Sequence, residues 1–213
     1  MSRDWKDVRK DFPALANRVY LNAASGSPTP RIVRDAVERY LRELEETGDD
    51  GWDLWLAQME VAREKVARFI GAQADEIAFV TNTSEGMNIL ADLLAADGPV
   101  LTDELEFPTV TLPFVHRGAQ MAYIPAIEGE LRLEMFEEPN APRASTLLVS
   151  HVQYSNGFRL DLDALGALKG RRSLAVCASQ SLGAFKVNVR EMQIDGLACA
   201  GHKWMMAGYG AGF

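Results

Sequence analysis

Glu76-Ile77-Ala78-Phe79-Val80-Thr81-Asn82-Thr83-Ser84-Glu85-Gly86 changes character halfway along its length. The first five residues read as a short buried strand. Thr81 to Gly86 are small and polar, and Met87 to Ala96 return to apolar residues at helical spacing. A strand passing through a polar hinge into a helix is the repeating unit of an α/β fold.

The alternation continues downstream. Strands are expected at Val100-Leu101, Met121 to Ile124, Thr146 to Ser150, Ser173 to Val176 and Gly196 to Cys199. Helical stretches fall between them, near Thr109 to Arg117, Glu130 to Glu137 and Leu162 to Lys169. Upstream, Pro30 to Glu46 form an amphipathic pattern through Ile32, Val33, Ala36, Val37, Tyr40, Leu41 and Leu44. Gly48-Asp49-Asp50-Gly51 breaks that helix, a second runs from Trp52 to Ile70, and Gly71 stops it. There is no internal repeat and no low-complexity tract. Short apolar strands alternating with helices predict an α/β fold with a mostly parallel sheet. Ligands of such sheets bind beyond the carboxyl ends of the strands. The segments after Val80, Leu101, Ser150, Val176 and Cys199 are therefore where function is sought.

Composition narrows the classes. Of 213 residues, 47% are hydrophobic and 24% charged, an ordinary globular balance. Thirty acids against 22 bases leave a net charge of −8, which argues against a nucleic-acid partner. The two cysteines, Cys177 and Cys199, form no CxxC pair and have no histidine at ligand spacing, so neither a disulfide framework nor a metal site is expected. The opening MSRDWKDVRK has no apolar core of a secretory signal, and no apolar run approaches the ~20 residues of a membrane span. A cytoplasmic protein is the expectation.

The strand-end segments hold the candidate chemistry. Thr83-Ser84 falls at a helix start, where free N–H groups and hydroxyls suit a phosphate, although a plain N-cap at Ser84 is the commoner reading of such a pair. Phe107, in Glu106-Phe107-Pro108-Thr109, offers a π-face at a strand end, and a core role is the commoner alternative. His151 follows Leu147-Leu148-Val149-Ser150, where a satisfied polar residue is the commoner reading. Lys203, in Gly201-His202-Lys203-Trp204, lies between the apolar Leu197-Ala198-Cys199 and the glycine-rich Met205 to Phe213. Such a setting can desolvate an amine and make it nucleophilic, whereas an exposed loop lysine is the usual case. The chain contains no GxxxxGK[ST], and no GxGxxG opens a helix, so a nucleotide-binding domain fits poorly.

Taken in order, these pieces resemble the class V aminotransferase family, a branch of the fold-type I pyridoxal-phosphate (PLP) enzymes that includes cysteine desulfurases, kynureninase and isopenicillin-N-epimerase-like proteins. The resemblance runs from about Tyr20 to Phe213. It rests on Tyr20-Leu21-Asn22-Ala23-Ala24, Thr81 to Asn88, Glu106-Phe107-Pro108-Thr109, Ser150-His151-Val152-Gln153, Ala178-Ser179-Gln180-Ser181-Leu182-Gly183 and Gly201-His202-Lys203-Trp204.

The resemblance implies a three-layer α/β/α large domain, with residues 1–30 as an N-terminal arm and active-site loop and residues 31–213 as a PLP-binding domain incomplete at its C-terminal end. Lys203 matches the lysine that forms the internal aldimine and shuttles protons at the substrate Cα. Thr83 and Ser84 match the pair that holds the PLP phosphate, and His202 a histidine beside it. Gln180 matches a glutamine bonded to the phenolic oxygen, and Phe107 or its neighbour Pro108 lies where the family places a ring-stacking residue, Phe107 being preferred because only it has a π-face. Two positions depart from the pattern. Cys177 stands where the family has an Asp paired with the pyridine nitrogen, and Ala200 where cysteine desulfurases usually have a phosphate-binding Ser. Family members are roughly twice this length, so a C-terminal small domain, with the arginine for the substrate carboxylate, is expected to be missing here.

The implied function is a PLP-dependent enzyme acting on an amino acid: an aminotransferase, or a cysteine desulfurase-like lyase, working as a cytoplasmic homodimer. The alternative is a weakened or inactive remnant of the fold that serves as a binding module.

Overall fold

The computed structural model describes residues 4–137 and 141–213. The first three residues of the expected 1–30 arm thus lie outside the described residues. Beyond a short α1 (Trp5–Lys10), two long helices lead into the sheet. α2 (Arg31–Thr47) starts after Pro30, and α3 (Trp52–Ile70) closes on Gly71 in the left-handed conformation. α4 (Thr83–Leu94) follows, and β1 (Val100–Asp103), α5 (Pro108–His116) and β2 (Met121–Ile124) complete the first half. The second half is β3 (Thr146–Ser150), α6 (Leu162–Leu168), β4 (Ser173–Cys177) and β5 (Gly196–Ala198).

The five strands form one sheet in the order β2-β1-β3-β4-β5, with every neighbouring pair parallel. β1 and β3 are adjacent, yet the sheet is extended outward from them in opposite directions. This is the switch point at which α/β sheets open a crevice beyond their carboxyl ends.

Side-chain alternation along the strands builds two cores. Leu101, Leu147, Val149, Leu174 and Val176 face α6, where Leu162 and Leu165 cover them. Val100, Leu148, Ala175, Cys177 and Ala198 face the other way, onto Met87 and Ala91 of α4 and Val110 and Phe114 of α5. A third cluster joins Ala67 and Ile70 of α3 to Ala178, Leu182, Val187 and Cys199. Both sheet faces are thus covered, which is the expected three-layer arrangement. Phe114 and Met87 are fully buried. Each such side chain contributes about 1.5–3 kcal/mol by leaving water. Among the described residues no helix is long and apolar enough to cross a membrane.

Three expectations need correction. The strand expected at Glu76 to Val80 is not a sheet strand. Ala74–Glu76 is a 3₁₀ turn held by a Gln73/Glu76 capping box, and only Val80 pairs, through one antiparallel bridge to Gly212. β-rich composition makes a strand only where a partner edge runs alongside. The helix expected from Met87 begins four residues earlier, because Asn82 is the cap: its Oδ1 accepts from Glu85 N at 3.0 Å. Ser84 therefore lies inside the first turn and is not the N-cap. The helix expected at Glu130 to Glu137 is an Ile127–Glu130 bridge followed by a 3₁₀ turn at Leu133–Met135. Leu131 and Phe136 are both drawn into the α6-side core, a five-residue spacing that one α-helical face does not present.

Candidate functional site

At the carboxyl end of the sheet lies a cavity of about 290 Å³. All seven residues picked out by the resemblance line it: Thr83, Ser84, Phe107, Cys177, Gln180, His202 and Lys203. They come from four separate segments, 83–84, 107, 177–180 and 202–203, so the fold and not local sequence brings them together.

Thr83 and Ser84 are the first two residues of the 12-residue α4. Their N–H groups precede the intrahelical ladder, and the helix dipole adds partial positive charge there. Thr83 Oγ1 is buried and hydrogen-bonded to Ser179 Oγ. Ser84 Oγ reaches Thr109 Oγ1 at 3.5 Å. The Glu85 carboxylate turns back to accept from Thr81 N at 2.7 Å and Thr81 Oγ1 at 2.8 Å, which holds its pKa below the usual range. α4 sits close to the sheet because residue 86 is glycine: a Cβ there would lie 2.9 Å from the Ala198 Cβ.

Phe107 is partly exposed at the switch point and packs edge-on against Tyr154, with centroids 4.9 Å apart. It is not a core residue. On the opposite side, Gln180 is engaged at both ends: its Nε2 donates to Ala24 O at 2.9 Å, and its Oε1 accepts from Trp204 Nε1 at 3.0 Å. The N-terminal segment closes over the same place, with Ser27 N donating to His202 O at 2.8 Å. His202 stacks on Tyr209 at 4.5 Å, and burial, then the Lys203 charge, lowers its pKa, favouring the neutral ring. The loop carrying Lys203 is pinned by Gly183. That residue has φ +100°, and a Cβ on it would lie 2.4 Å from Trp204 O.

Cys177 is a buried thiol whose pKa is raised, first of all by burial. Ala200 is also buried and bridges to Gly212, so position 200 contributes no hydroxyl. His151 is buried with its Nδ1 unpartnered, does not line the cavity, and has its pKa lowered to about 4, mainly by burial. Among the described residues no cluster of three or more metal-ligating side chains occurs.

Sequence reasoning passed over the wall between these groups. Ser150, Ser179 and Tyr154 line the cavity, and Asp103, Glu106 and Gln153 form a buried polar cluster beneath it. The available signal was an Asp at a strand end followed three residues later by a Glu, a pattern shared with ordinary surface loops.

In its chemical groups, the cavity offers an anion site at a helix N-terminus, a π-face, a primary amine, an imidazole and an amide. The family model described as aminotransferase class V matches residues 19–213. The chain is 36% identical over 222 residues to a protein named probable cysteine desulfurase from Methanothermobacter thermautotrophicus, covering 98% of this chain and 55% of that protein. It is 31% identical to an uncharacterized aminotransferase of Bacillus subtilis, covering 98% and 57%. Among solved structures, the apo cysteine desulfurase of Thermococcus onnurineus NA1 superposes with a TM-score of 0.86 at 30% identity, over 100% of this chain and 56% of that one. The chain thus spans a little over half the length of the relatives it matches.

Proposed function

The chain belongs to the class V aminotransferase family, and on that premise we propose that it carries the cofactor-binding part of a PLP-dependent enzyme acting on an amino acid. The observation that carries the reading is the convergence of Lys203, Thr83, Ser84, Gln180, His202 and Phe107 on one cavity. The residues suit the cofactor chemically. A phosphate needs N–H and O–H donors in a positive field, and the first turn of α4 supplies both. An aromatic ring needs an apolar face, and Phe107 supplies one. When bound, PLP acts as an electron sink for the α-carbon of an amino acid.

In this reading Lys203 Nζ would hold the cofactor and would take and return the proton at the substrate Cα. His202, stacked on Tyr209, flanks the phosphate as a neutral donor. Gln180, anchored by Ala24 and Trp204, would hold the cofactor's ring side with its remaining amide donor. The segment around Ser27 is tied to the same loop through His202 O. The relatives named cysteine desulfurase make cysteine the first substrate to test, with transamination as the competing outcome. A homodimer belongs to the same reading, supported by the apolar face that α2 leaves exposed. Against a bare binding module stands the retained amine, which binding alone does not require.

The test is chemical. The protein titrated with PLP turns yellow, borohydride removes the visible band, and peptide mapping finds the pyridoxyl group on Lys203. A label on Lys169 or Lys186 instead refutes the assignment.

A further inference from the structure

Beneath the cavity floor lies a buried acid pair that the reading above does not use. Asp103 ends β1 and is 0% exposed, while Glu106, three residues on, is partly buried. Their carboxyl groups share one donor, the Gln153 amide, and each perturbs the other's titration. Gln153 Nε2 donates to Asp103 Oδ1 and Oδ2, each at 3.2 Å, and to Glu106 Oε1 at 3.3 Å. Leu105 N donates to Asp103 Oδ1 at 3.0 Å. Ser150 gives Glu106 both its backbone N–H and its hydroxyl, the latter at 2.6 Å. Among the described residues no cation pairs with either acid.

Two carboxyl groups in contact without a cation do not both ionise, so the pair holds one proton near neutral pH. The surroundings place that proton. Burial, then the Glu106 charge, pushes Asp103 up to about 8. Burial also raises Glu106, but the donors from Ser150 and Gln153 and the Asp103 hydrogen bond all favour its ionised form. The proton therefore resides on Asp103 and the negative charge on Glu106. Ser150, which carries that charge, is the register partner of Cys177, and both line the cavity. The titratable groups facing Glu106 are Asp103 from β1 and Cys177 from β4.

We propose that Glu106 is a positioning residue whose carboxylate, held by Ser150, supplies through the cavity floor at Cys177 the negative charge that keeps the ring nitrogen of the bound cofactor protonated. The proposal rests on the PLP reading and deepens it. The Cys177 thiol is buried and neutral, so it provides no such charge itself. A fixed anion one hydroxyl behind it does so without occupying the floor. The ring proton comes from water. Glu106 makes no covalent bond and keeps its charge throughout, acting only as a counter-charge in a medium of low dielectric.

The test uses the complete protein loaded with PLP labelled with ¹⁵N at the ring, whose chemical shift reports protonation against pH. Glu106→Gln is expected to lower the ring pKa by about one unit or more, a tenfold change, with borohydride still labelling Lys203. Ser150→Ala, which keeps the backbone donor, is expected to give a smaller shift in the same direction. Cys177→Asp added to Glu106→Gln is expected to restore protonation, which a merely structural role would not do. Independently of PLP, the unliganded protein is expected to show the infrared band of a protonated carboxyl group near pH 7, lost in Asp103→Asn. A ring pKa unmoved by Glu106→Gln at full occupancy overturns the proposal, as does absence of the infrared band. Failure of the parent to take up PLP overturns the underlying reading instead, and this proposal with it.

Discussion

Asp103→Asn isolates the energetic cost of the buried acid pair. The Asp103 pKa rises from the ordinary 3.8 to about 8 in the fold. A carboxyl group with a raised folded-state pKa binds its proton more tightly folded than unfolded. Its contribution to stability is therefore fully present below the unfolded pKa, falls as pH rises through the window up to the folded pKa, and is constant beyond it. Four units at about 1.4 kcal/mol each set a ceiling of roughly 6 kcal/mol, and because Glu106 titrates with Asp103 the loss belongs to the pair. Asparagine imitates the protonated acid. Its Oδ1 retains the Leu105 N–H, and its Nδ2 can donate to the Glu106 carboxylate as the protonated acid does. Urea unfolding followed by circular dichroism between about pH 5 and pH 8 measures the slope. The parent is expected to lose on the order of 1 kcal/mol per pH unit more than the variant across this window, and the two to be closest at its acid end. Parallel stability curves would refute the shared-proton account. A variant less stable than the parent by a constant amount would mean that the carboxylate, not the acid, is the form the fold requires.

Two other substitutions probe how the site is held and how the chain is covered. Gly183→Ala is expected to lower the melting temperature, because φ +100° and a Cβ 2.4 Å from Trp204 O cannot both be accommodated; a cost of about 1–3 kcal/mol follows, and an unchanged melt would show that the Lys203 loop is not pinned there. α2 has no buried residue, and Val37, Leu41 and Leu44 stand exposed along it, so the 213-residue chain is expected to self-associate in light scattering. Leu41→Lys with Leu44→Lys is expected to suppress that association while shifting stability by less than about 1 kcal/mol, and persistent aggregation of the pair would place the sticky surface elsewhere.

The strands β1, β3 and β4 were legible because a strand buried on both faces reads as a short, largely apolar run flanked by turn residues. α2 and α3 were legible for the matching reason, an apolar stripe at helical period bounded by glycine. The segment before Val80 defeated the same reasoning. Its composition is that of a strand, but pairing depends on the neighbouring edge, and Gly212, more than a hundred residues away, offers a single bridge. Leu131 and Phe136 defeated it differently, since a core can claim residues from an irregular segment at any spacing that reaches it.

Residue types and their order were enough to pick out Lys203, Thr83, Ser84, Phe107, Gln180, His202 and Cys177 and to suggest the family, because each motif is local, although Thr83 and Ser84 follow a single bridge at Val80 and not the sheet strand expected there. That these seven share one cavity was decided only by the parallel order β2-β1-β3-β4-β5, which lines up the carboxyl ends of strands far apart in the chain. The protonation of Asp103 and the charge on Glu106 belong wholly to the tertiary structure. An isolated carboxyl group ionises near 4, and only burial beside a second one, with Ser150 and Gln153 delivered from another strand, divides the pair into an acid and an anion.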